Sequence, residues 1–336
     1  MSLPVELWRP LLAHVPDKDT LANVAQVSRF LQQEAERVLY KSVILSRHDD
    51  PIALALSTRK RALLVHECTL YLSPTRNLKS TPTTHPLFSL LSRMRNLDSL
   101  SIRGPLPATL KPASLPFRLS TFCTTEPLSR PLIALLRAQP SITRLTLLNP
   151  ALLSTPALSG ALPNTHALAT LTPAPALAIL PHRPVTHLHI LAWAHASLPD
   201  VAPRIGASSG PLRALMCAQG LTLTPADLGL VAMHIPNLAF LGDVSLTDDI
   251  HAYLPALSLL PLRTLLVNRA SPGLSARFSE PAVVKSLGGA CRQLERVVFT
   301  QRVTANYIWE RAGGEEWHRV RVEDPCEIAG DLWRAT

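Results

Sequence analysis

Gly206-Ala207-Ser208-Ser209-Gly210 has the G-x-S-x-G spacing in which a serine nucleophile stands exposed on a strained turn between a buried strand and a helix. That chemistry needs an apolar strand before the first glycine and a running helix after the second. Asp200, Pro203 and Arg204 stand where the strand should be, and Pro211 stands where the helix should run. The string reads as a polar loop, and no catalytic residue is assigned. His182, His187, His189 and His195 form the densest histidine group. Two histidines at i, i+2 on a strand face the same way, as a zinc site requires, but no Cys, Asp or Glu stands at ligand spacing beside them. No metal site is assigned, no glycine-rich phosphate loop occurs, and no cofactor is called for. The cysteines (Cys68, Cys123, Cys217, Cys291, Cys326) are odd in number, widely spaced and without a C-x-x-C pair, which suits reduced thiols inside a cell.

The elements that must position these residues are built from leucine. Of 336 residues 62 are leucine, 47% are hydrophobic and only 5% aromatic, so the core is aliphatic. Thirty-one prolines beside 13 glycines punctuate the chain too often for long helices. A template of apolar, two variable, apolar, one variable, apolar fits Val65, Cys68, Leu70, and again Leu97, Leu100, Ile102. It fits Ile142, Leu145, Leu147; Val185, Leu188, Ile190; Leu212, Leu215, Cys217; Leu262, Leu265, Val267; and Leu294, Val297, Phe299. Weaker copies begin at Leu119, Leu168 and Leu238. The mean spacing is about 25 residues, inside the range of leucine-rich repeats. Helically spaced sets such as Leu87, Leu90, Leu91, Met94 lie between copies, consistent with one strand and one helix or turn per unit. Ser73 to Pro86 reads as a surface loop, and the copy over 150 to 184, rich in Ala, Pro and Thr, is expected to be irregular. Trp309, Trp317 and Trp333, with an alternating run from His318 to Val322, suit a capping element.

The formal net charge is +9, from 33 Lys and Arg against 24 Asp and Glu. Only Arg59-Lys60-Arg61 is dense, and the other basic residues lack the interleaved aromatics that stack bases, so nucleic-acid binding is not expected. No apolar stretch is long enough to span a bilayer, and Glu6 inside the first apolar segment argues against a secretory signal. A soluble protein of the cytoplasm or nucleus is expected, with no membrane partner.

Leu7, Leu11, Leu12 and Val15 share one helical face after Pro4, a residue suited to a first helical position. Leu21, Val24, Ala25 and Val27 form a second set after Asp19 and Thr20 as potential caps, and Leu31, Ala35, Val38 and Leu39 a third after Ser28. The run Leu3-Pro4-Val5-Glu6-Leu7-Trp8, then Leu11-Leu12, His14-Val15-Pro16, Leu21, Val24-Ala25, Val27-Ser28-Arg29 and Ala35-Glu36 to Leu39-Tyr40 resembles the F-box over about 40 residues. Leu-Pro-x-Glu-Leu followed by leucine-rich repeats is the arrangement of F-box proteins, particularly the fungal sets. One departure is that either Phe30 or Leu31 could be the bulky residue of the third helix.

The expected fold is therefore α/β: a short N-terminal three-helix F-box over residues 1–46, an irregular leucine-rich-repeat-like α/β solenoid over 47–302, and a C-terminal cap over 303–336. The resemblance implies a substrate-recognition subunit of a Skp-cullin-F-box type ubiquitin ligase that performs no bond-making chemistry itself. Leu3, Pro4, Leu7, Trp8, Leu11, Val15, Leu21, Val24 and Val27 would bind the Skp adaptor, and through it a cullin scaffold. A protein substrate would lie on the variable residues beside the inward leucines, here Ser99, Ser101, Arg144, Thr146, His187, His189, Ala214, Met216, Phe240, Glu295 and Arg296. The alternative is a solenoid protein-interaction module without a ubiquitin-ligase role, which needs no N-terminal anchors.

Overall fold

The computed structural model describes residues 4–46, 50–72, 86–106, 115–151, 160–193, 197–217, 223–244, 249–268, 279–300, 307–311 and 316–321. The fold is mixed α/β, with thirteen strands hydrogen-bonded in the order in which they occur. Pairs from β1 to β4 and from β6 to β11 are parallel, and β11, β12 and β13 are antiparallel. Parallel neighbours cannot be joined by a tight turn, so each needs a crossover, and among the described residues short helices occupy these except between β3 and β4. The chain divides into two compact units, Met1–Leu145 with Ser159–Leu162, and Thr146–Leu158 with Pro163–Thr336.

The first unit contains α1 (Val5–Ala13), α2 (Lys18–Val24), α3 (Arg29–Leu39), β1 (Ser42–Leu45), α4 (Pro51–Ala55), α5 (Arg59–Ala62), β2 (Glu67–Tyr71), α6 (Pro86–Leu91), β3 (Ser99–Arg103), β4 (Thr121–Thr124) and α7 (Arg130–Ala138). The division falls within β5 (Arg144–Leu147). The second unit continues with β6 (Ala167–Thr170), α8 (Pro173–Ile179), β7 (His187–Ile190), α9 (Leu198–Ile205), β8 (Ala214–Cys217), α10 (Pro225–His234) and β9 (Phe240–Val244). It ends with α11 (Leu254–Ser258), β10 (Thr264–Asn268), α12 (Glu280–Ala290), β11 (Arg296–Thr300), β12 (Tyr307–Arg311) and β13 (Trp317–Arg321).

Equivalence of the units is visible in the backbone. In the first unit the carbonyl of Lys41 accepts from the N–H groups of both His66 and Glu67, that of His66 from Asp98 and Ser99, and that of Asp98 from Ser120 and Thr121. In the second unit His166, Thr186, Arg213, Ala239 and Arg263 each do the same for two consecutive residues one unit on, at 2.7–3.1 Å. This ladder places the template: Val43 pairs with Cys68, Cys68 with Leu100 and Leu100 with Phe122, and all are buried. The copy expected from Leu168 begins at Thr165 instead, because Leu168 pairs with Leu188 and so holds the second position. A buried threonine at the first position hid it from an apolar template. Residues 160–184 are also more regular than expected, since β6 and α8 fill them; Ser73–His85 and the run 152–159 lie outside the described residues.

The prolines do more than break elements. Pro51, Pro131, Pro173, Pro199, Pro225, Pro255 and Pro281 all sit in the first two positions of helices α4 and α7–α12, where the missing N–H costs nothing and the fixed φ is already helical. At the C-terminal end β12 and β13 pair antiparallel and pack against α12. Trp309 Nε1 donates to Glu280 Oε2 at 3.1 Å, and the indole of Trp317 lies so close over Gly288 that a β-carbon there would stand 2.5 Å from its Nε1.

Candidate functional site

Two surfaces bear on function, the N-terminal helices and the sheet face left free by the template. In the helices, Asp17 caps α2 by accepting from the N–H groups of Thr20 and Asp19 at 2.7 and 3.2 Å, so the cap precedes the expected Asp19 and Thr20. The Thr20 hydroxyl and these N–H groups hold the Asp17 carboxyl below its ordinary pKa. Ser28 caps α3 by accepting from Leu31 N–H at 3.2 Å, as the sequence leads one to expect. Leu12, Leu21 and Ala35, one from each helix, form a buried centre against which Val15, Val24, Ala25, Val38 and Leu39 pack. Glu34, 7% exposed, accepts from Arg9 Nε at 2.9 Å and from Arg37, joining α1 to α3. The Arg9 hydrogen bond lowers the Glu34 pKa and outweighs the opposing effect of burial. Arg61 reaches Glu36 at 2.7 Å and lies over the Tyr40 ring at 5.5 Å, tying α3 to α5.

The expected adaptor residues divide accordingly. Leu21 is core, and Val15 and Val24 are half-buried against it, so these three hold the helices together rather than present a surface. Leu7, Leu11 and Val27 are 46%, 50% and 71% exposed, Pro4 is exposed and Trp8 half-buried. Leu3 lies outside the described residues. Helical spacing shows which residues share a face; it does not show which of two apolar faces the neighbouring helices use.

On the sheet, alternation puts the intervening residues of each strand on the face opposite the template. In the first unit Thr69, Ser99, Ser101 and Thr121 are half-buried there, Arg144 is exposed, and Arg103 lies over Tyr71 at 5.2 Å. In the second unit Thr146, His187, His189 and Arg296 are half-buried, Glu295 is exposed, and Arg296 pairs across strands with Glu310 at 3.2 Å. Ala214, Met216 and Phe240 depart from the expectation of an accessible substrate face. They are buried, with Leu266 and Val298, in a second apolar cluster against which Ala167 and Ile308 pack. A signal was present: Ala214-Leu215-Met216-Cys217, Leu265-Leu266-Val267 and Val297-Val298-Phe299 are apolar at every position, the mark of a strand covered on both faces.

The remaining chemical candidates prove structural. Ser208 Oγ stands 3.0 and 3.1 Å from the carbonyls of Arg183 and Val185, to which it donates, and accepts from Gly210 N–H at 3.4 Å. Within the second unit the serine ties the segment after α9 to the segment before β7, and its oxygen is engaged by three backbone groups. Burial pushes the thiols of Cys68 and Cys291 up to about 12 and about 11, and raises Cys217 and Cys123 as well. A thiol so raised is not a nucleophile at neutral pH. Among the described residues no three His, Cys, Asp or Glu side chains converge as metal ligands; His195 and Cys326 lie outside them. No helix of the described residues is long and apolar enough to cross a membrane. The chain matches no protein-family model and no curated protein.

Proposed function

We propose that the chain is the substrate-recognition subunit of a Skp-cullin-F-box type ubiquitin ligase, acting in the cytoplasm or nucleus and performing no bond-making step itself. One observation carries this reading. The three N-terminal helices close their own core with Leu12, Leu21 and Ala35, yet leave Leu7, Leu11 and Val27 exposed beside Pro4 and Trp8. Apolar side chains that a bundle does not need for its own packing are the anchors of a helix-in-groove contact, here with the Skp adaptor and through it a cullin. The repeat region, read as a leucine-rich-repeat-like solenoid, holds the protein substrate at the half-buried and exposed residues of its intervening face, among them Ser99, Ser101, Arg144, Thr146, His187, His189 and Arg296.

Pull-down of the purified adaptor by the wild type and by a Leu7→Asp, Leu11→Asp double variant tests the assignment. Both side chains are exposed, so the variant keeps its helices, checked by circular dichroism, while adaptor recovery falls about tenfold or more. Equal recovery leaves an interaction module without a ligase role.

A further inference from the structure

The net charge of +9 is not spread over the chain. Residues 1–145 hold 19 of the Lys and Arg and 10 of the Asp and Glu, so the whole excess lies in the first unit; residues 146–336 hold 14 of each. Within that unit a depression of about 1070 Å³ opens beside the N-terminal ends of the strands, and Arg9, Arg37, Lys41 and Arg144 line it. Two of these cations are held in place: the nearly buried Glu34 carboxylate bonds Arg9 through both of its oxygens and also takes Arg37. One carboxylate thus orients two guanidinium groups that remain 64% and 46% exposed, leaving N–H groups directed at solvent. Lys41 stands four residues beyond Arg37, just past the end of α3, and the hydroxyls of Ser99 and Thr121 add neutral donors. Two carboxylates, Glu67 and Asp98, also stand in the lining, Asp98 accepting from the Ser120 hydroxyl at 2.7 Å, so four cations face two anions.

We infer that this depression binds an acidic stretch of a partner polypeptide, its carboxylates taken by Arg9, Arg37, Lys41 and Arg144. The lining is polar and open, unlike the mostly apolar pockets that enclose small molecules. Its lining holds no Phe, Tyr or Trp on which a nucleobase could stack, His66 being its one ring, which favours a polypeptide over a single-stranded nucleic acid. Guanidinium groups fixed in advance by a carboxylate lose little freedom when an anion arrives, so the cradle is preorganised. The site goes beyond the adaptor reading and uses none of its apolar residues.

The test is fluorescence anisotropy with the full chain and two labelled peptides, one rich in Glu and Asp, the other with Gln and Asn at the same positions. The acidic peptide is expected to bind about tenfold more tightly, and the preference to shrink as salt rises to physiological strength. Lys41→Glu with Arg144→Glu should weaken it by a further factor of about ten, and the neutral pair Lys41→Gln with Arg144→Gln by less. Arg118→Glu with Arg130→Glu makes the same charge change at exposed sites outside the lining and should preserve more of the affinity. Equal losses in the two reversed pairs, equal binding of the amide peptide, or equal binding of a single-stranded oligonucleotide overturns the inference. Adaptor binding by the Lys41→Glu, Arg144→Glu variant is measured alongside, so that the two readings fail separately.

Discussion

Thr69, Ser99, Ser101 and Thr121 in the first unit hold intervening strand positions equivalent to those of Ala214, Met216, Phe240 and Leu266 in the second. The first set is half-buried and polar; the second is at most 5% exposed and apolar. The first unit carries the entire charge excess and the second is neutral. A repeated backbone thus supports two different uses of one face. Where the intervening residues are hydroxyls and arginines, the face stays wet and can receive a partner. Where they are Met, Phe, Leu and Val, burial contributes about 25 cal/mol for each Å² of apolar surface withdrawn from water, and the face serves stability.

The contrast is open to attack in order of expected effect. Phe240→Ala removes a ring with no exposed surface and should cost about 3–5 kcal/mol in urea unfolding, whereas Thr121→Ala at the matching strand position should cost no more than about 0.5 kcal/mol. Similar values for the two would erase the distinction between the faces. Gly288→Val forces a side chain into the indole of Trp317 and should lose about 1–3 kcal/mol, with a shift in tryptophan emission as the hairpin moves off α12. An unchanged spectrum would show that the hairpin does not cap the second unit.

In the first unit Glu34→Gln should cost only about 1 kcal/mol, because the arginines it holds are largely exposed and screened by solvent. The pKa of Glu34 is lowered on folding, so its contribution is complete above the unfolded carboxylate value of about 4.3 and is lost as pH falls through the depressed folded value. The stability difference between wild type and variant should therefore be constant from neutral pH to about pH 5 and fall away as pH drops through the depressed folded value. A difference that grew on acidification would contradict the assigned pairing. The smallest effect is chemical: in the native protein at mildly alkaline pH, iodoacetamide should modify half-buried Cys123 on the polar face, while Cys68, Cys217 and Cys291 wait for unfolding. Prompt labelling of Cys217 would show that the second unit opens readily.

Much of this was legible from residue types and spacing, because local rules govern it. Strand positions followed from the leucine template, since one alternating face of each strand has to be buried. The N-terminal helices followed from 3.6-residue periodicity and the Ser28 cap. The unit at Thr165 was missed because a hydroxyl fills an apolar slot, and the caging of Arg9 and Arg37 because Glu34 and Arg9 stand 25 residues apart. What only the tertiary structure decided is which apolar face is covered. Periodicity places Leu21 and Leu7 on equivalent terms, and alternation does the same for Ser99 and Phe240. Burial depends on what the rest of the chain lays over a side chain, and that is a property of the packed molecule, not of any local run of residues.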